Sequence, residues 1–93
     1  MDTKLQTSDI YFTRASAALC AKGLIGWVAA TLGDLRLDGI QVRRARDGHH
    51  YLSWPQRRWR GGQSHIVYPR DDAARVHLER EIIGELQRRG VFP

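Results

Sequence analysis

Acidic residues are almost missing from the middle of this chain. Between residues 41 and 70 the only carboxylate is Asp47, set against seven arginines: Arg43, Arg44, Arg46, Arg57, Arg58, Arg60 and Arg70. Residues 1–40 are balanced and residues 71–93 carry a slight excess of acid, so the net charge of +5 originates in that middle third. Cysteine is nearly absent too. The lone Cys20 excludes an internal disulfide and fits a reducing, cytoplasmic setting. No run approaches the roughly 18–20 apolar residues of a membrane-spanning helix, because Ala15–Leu32 is broken by Lys22, Gly23 and Gly26. The opening Met-Asp-Thr-Lys has no secretory character. Lysine is scarce as well, with arginine supplying 13 of the 15 basic side chains. Catalytic and metal signatures are lacking: His49, His50, His65, His77 and Cys20 fall at no ligand-like spacing, and no nucleophile stands near a base. A non-enzymatic protein with no cofactor and no small-molecule substrate is expected.

What is present is one domain's worth of chain, 93 residues, with 1–6 expected as a loose tail. Strands are expected at 9–13, at 24–32 and at 35–43, where Gly39 interrupts a clean alternation and suggests a bulge. Asp47-Gly48 is a hairpin signal leading into a strand over 51–54 that ends at Pro55. Residues 56–64 contain Gly61-Gly62 and little apolar besides Trp59, which predicts an exposed, mobile loop. A short closing strand is expected at 65–68. From Asp71 or Asp72 to Arg88 and Arg89, with Gly90 as a stop, the pattern predicts a helix. Its apolar face carries Leu78, Ile82 and Leu86, flanked by Val76 and Ile83. The whole is an α+β domain: an antiparallel meander of about five strands with one C-terminal amphipathic helix.

Guanidinium groups interleaved with flat rings suit phosphates and bases, so nucleic acid is the expected partner. The foremost candidate site is Arg57, Arg58, Trp59 and Arg60, with Trp59 either stacking on a base or packing down onto the sheet. Arg44 and Arg46, two apart, should share a strand face while Arg43 points opposite. They either extend the basic surface or are simply solvated. Arg80 and Arg88, with His77, are expected on the solvated side of the helix. Arg75 and Glu79 stand four apart within the apolar arc, as a structural or interface ion pair or a secondary contact. A small core with an uncovered sheet face favours a homodimer.

In order, Ser8-Asp9-Ile10, Leu37-Asp38-Gly39-Ile40-Gln41-Val42, Asp47-Gly48, Tyr51-Leu52-Ser53-Trp54-Pro55, Gln56-Arg57-Arg58, His65-Ile66-Val67-Tyr68-Pro69 and Arg75 form a set. That set resembles the SpoVG family of bacterial septation and sporulation regulators over roughly residues 7–89. The resemblance implies a single SpoVG-like domain over 1–93. It also implies a dimeric DNA- or RNA-binding regulator without enzymatic activity, linked to septation or gene expression. Two other classes fit the same residues: an interaction module whose basic loop docks an acidic protein, and a general single-stranded-DNA-binding protein.

Overall fold

The most apolar run of the chain becomes an inner strand. The computed structural model describes residues 7–92, and in it Leu24–Leu32 forms β2 between β1 (Thr7–Arg14) and β3 (Leu35–Arg44). β4 (His50–Ser53) pairs with β3 on its far side, giving an antiparallel sheet of order β1-β2-β3-β4. Leu32 faces Leu35 across a two-residue turn in which Gly33 has φ +60, a conformation glycine adopts without steric penalty. The expected bulge is there as well. Register shifts between Val28 and Ala30 opposite Gly39, whose φ is +76.

Alternation sorts the strands into two faces. Ile10, Val28, Ala30, Ile40, Val42 and Leu52 turn inward and are buried. Against them lies the C-terminal helix, Asp72–Arg88, whose Ile82, Ile83 and Leu86 complete the core while Leu78 packs at its margin. Asp71 caps this helix, its Oδ1 accepting from the Ala74 N–H at 2.8 Å. Polar ties fasten the helix to both outer strands of the sheet. Glu79 accepts from the Leu52 N–H of β4 at 3.2 Å, and Glu81 accepts from the Thr7 N–H of β1 at 3.2 Å. Arg89 donates to the Ile10 carbonyl at 2.6 Å. Carboxylates on outward-pointing strand amides also block further pairing at those positions.

Three expectations need correction. Residues 17–21 form a short helix, α1 (Ala17–Ala21), capped by Ser16, whose Oγ accepts from Leu19 N–H at 3.3 Å; the C-terminal helix is therefore α2. Residues 56–64 are not a loop but most of an ordered two-stranded ribbon, β5 (Gln56–Trp59) and β6 (Gly62–His65). The closing strand at 65–68 does not form. Only His65 belongs to a strand, that of the ribbon, and Ile66 and Tyr68 stay exposed. The chain is used otherwise there: the Ile66 N–H is taken by the Pro55 carbonyl at 2.9 Å, and Pro69 has no N–H to give a ladder. The sheet expected as one meander is thus four strands plus a separate pair. The tail expected at 1–6 lies outside the described residues. No helix among those described is long and apolar enough to cross a membrane.

Candidate nucleic-acid interface

Pro55 ends the main sheet, and the chain then doubles back on itself. Trp59 pairs with Gly62 across the two-residue turn Arg60-Gly61, and the ladder continues through Arg58–Gln63, Arg57–Ser64 and Gln56–His65. One further bond, Ile66 N–H to the Pro55 carbonyl at 2.9 Å, closes the base of the ribbon. All eight strand residues of the ribbon are exposed. A Cβ on Gly61 would stand 3.3 Å from the Trp59 indole nitrogen, so the two glycines make room for the ring to lie over its own turn. Trp59 therefore neither packs onto the main sheet nor projects freely; 52% of its surface remains open.

Strand alternation divides the ribbon's side chains. Gln56, Arg58, Gln63 and His65 share one face, and Arg57, Trp59 and Ser64 share the other. Arg57, Arg58 and Arg60 therefore do not form one flat patch. None of the three guanidiniums has a hydrogen-bond or ion-pair partner among the described residues. The ribbon carries no carboxylate at all.

The Arg58 face borders a cleft of about 650 Å³. Its lining continues onto the open face of the main sheet, with Gln41 and Arg43 from β3 and Tyr51 and Ser53 from β4. Arg43 is held there by donating to Gln41 Oε1 at 3.1 Å and to the Lys22 carbonyl at 3.5 Å. The same alternation that sets Arg43 opposite Arg44 places it on the open face; the sequence groups it with Arg44 and Arg46 and does not show that it lies beside Arg58. What was missing was the ribbon's position beside that face.

Arg44 and Arg46 are indeed brought together, but elsewhere. With Lys22 and Gly23 they line a smaller hollow of about 330 Å³, and the Arg44 N–H donates to the Gly23 carbonyl at 2.8 Å. The only acid of the middle third is occupied in its turn. Asp47 accepts from the His49 N–H at 3.0 Å, and that bond with the neighbouring imidazole holds its carboxyl below the usual carboxylate range. His50 stacks on Phe92 at 3.9 Å between ring centroids, and burial, with Arg44 nearby, lowers its basicity.

The helix uses its charges differently. Arg75 donates to Asp72 at 2.7 Å and to Glu79 at 2.9 Å, and these bonds raise the already high pKa of its guanidinium. Glu79, largely buried, passes the link on to β4 through Leu52. Arg88 and Arg89 both bind Glu85 and hold its carboxyl below the usual range. Arg80 is exposed, whereas His77 is drawn in beside Glu81 at 2.7 Å instead of lying on the solvated face. Among the described residues, no three His, Cys, Asp or Glu side chains gather as a metal site. Compared with known proteins, the chain matches no family model and no curated protein.

Proposed function

We propose that this protein binds nucleic acid through its arginine-bearing ribbon and acts by binding rather than by catalysis. One observation carries the reading: a free-standing β-ribbon with Arg57, Arg58 and Arg60 unpaired, a half-open Trp59, and no carboxylate among its residues. Unpaired guanidiniums are available to displace the counterions around phosphates, and an exposed indole offers a stacking surface to a base. The ordered resemblance to the SpoVG family supports the same class and extends it to a dimeric, cytoplasmic regulator of septation or gene expression. On the open sheet face, Tyr11 and the half-buried Trp27 are available for self-association.

The test is a titration of tryptophan fluorescence with DNA and RNA at two salt concentrations, repeated on Arg57→Gln/Arg58→Gln/Arg60→Gln. Quenching that weakens with salt and disappears in the triple variant, with an unchanged circular dichroism spectrum, is the expected result. Affinity that survives the triple change removes the ribbon as the site. Binding only to an acidic protein, undiminished by nuclease treatment, replaces nucleic acid with a protein partner.

A further inference from the structure

The ribbon is only one wall of a cleft, and the other wall carries groups of the same chemistry. We infer that the cleft between the ribbon and the open sheet face is a subsite for a single, unpaired polynucleotide strand, an inference that rests on the nucleic-acid reading above. Arg58 of the ribbon and Arg43 of the sheet both line the cleft, so a strand lying in it meets a cation from each element. Arg43 spends two of its N–H groups on Gln41 and Lys22, which orients the guanidinium and leaves further donors for an anion. No carboxylate lines the space. Tyr51 contributes an aromatic ring to the sheet wall, while Gln41, Ser53 and Gln56 supply amide and hydroxyl groups of the kind that pair with base edges.

Scale and chemistry favour an unpaired strand. A space of about 650 Å³ falls within the roughly 300–1,000 Å³ of ligand pockets, the scale of one nucleotide, whose base can lie against Tyr51 and whose phosphate can lie beside the two arginines. Base edges are accessible only when unpaired, which is why polar groups set inside a narrow cleft favour a single strand over a duplex.

Fluorescence anisotropy with labelled oligothymidylate, oligouridylate and a duplex of equal length tests this on the full-length protein. The single strands are expected to bind at least about 10-fold tighter than the duplex. Arg43→Gln and Tyr51→Ala should each weaken single-strand binding about 10-fold and leave duplex binding unchanged. Tyr51→Phe, which keeps the ring, should retain single-strand affinity and so separates loss of stacking from loss of fold. The comparison of thymidylate with uridylate reads which polymer is preferred. Equal affinity for duplex and single strand overturns the subsite. So does unchanged single-strand binding in Arg43→Gln and Tyr51→Ala, and if the ribbon triple variant still abolishes binding, the broader reading stands. Failure of every oligonucleotide to bind overturns both.

Discussion

Arg75, Arg88 and Arg89, on α2 and its C-cap, and the three arginines of the ribbon are the same residue type, yet the fold treats the two groups oppositely. Arg75 is shared between Asp72 and Glu79, and Arg88 and Arg89 converge on Glu85. Their charge is spent within the molecule, fastening the helix to itself and, through Glu79 and Arg89, to β4 and β1. On the ribbon, Arg57, Arg58 and Arg60 meet no carboxylate, and the pairing of β5 with β6 leaves every side chain facing outward. A guanidinium already neutralised has little left to offer a phosphate. One held apart from any acid keeps its full charge for a partner. What separates the two groups is the carboxylates within one helical turn: Asp72, Glu79 and Glu85 stand three or four residues from their arginines, and the ribbon has none.

The largest effect that sharpens this contrast is on binding. Arg57→Gln/Arg58→Gln/Arg60→Gln should abolish nucleic-acid binding, whereas Arg75→Gln/Arg88→Gln/Arg89→Gln should preserve it and lower the melting temperature instead. Before binding is lost, each ribbon arginine removed singly should reduce the slope of log affinity against log salt by about 0.7. Equal losses of affinity in the two triple variants would break the contrast.

Next in size is a change in the packed half of the molecule. A Cβ on Gly26 would stand 2.3 Å from the Thr13 carbonyl and 2.6 Å from the Phe12 ring. Gly26→Ala is expected to cost about 3 kcal/mol in urea unfolding, while Ser64→Ala on the ribbon should stay within about 0.5 kcal/mol.

Glu79→Ala leaves the Leu52 amide without its acceptor and should cost about 1–2 kcal/mol; Glu79→Gln, which keeps an acceptor oxygen, should cost less. Parallel unfolding curves for the two variants would exclude the edge tie as the cause.

The smallest expected effect is that of pH. His50 has its pKa lowered by burial and by Arg44, so the folded state prefers the neutral ring. Its contribution is therefore fully present above the unfolded value of about 6.5 and is lost as pH falls from there through the lower folded value. Urea midpoints should decline slightly below about pH 6.5, and His50→Phe, which keeps an aromatic ring on Phe92, should flatten that decline.

Much of the fold was legible in local pattern. The apolar run at 24–32 and the Gly39 bulge emerged as expected, as did the Asp71 cap and the Ile82–Leu86 face. Each is fixed by residues close in sequence. The ribbon was not legible, because its strands contain none of the β-branched residues that mark a buried strand; Gln56-Arg57-Arg58-Trp59 pairs with Gly62-Gln63-Ser64-His65 through backbone bonds and a tight turn. Helix α1 escaped notice for a related reason. It is five residues long with no fully buried side chain, and only the Ser16 cap signals it.

The sequence by itself determined the charge: seven arginines against Asp47 in one third of the chain, with rings set between them. It also determined the α+β class, because hydrophobic periodicity is a local property. Only the tertiary structure decided how the arginines of the middle third are grouped. It sent Arg44 and Arg46 to a hollow beside Lys22 and brought Arg43 and Arg58 to the lining of one cleft. Those outcomes depend on how the ribbon turns away at Pro55, and no local pattern encodes such long-range contacts.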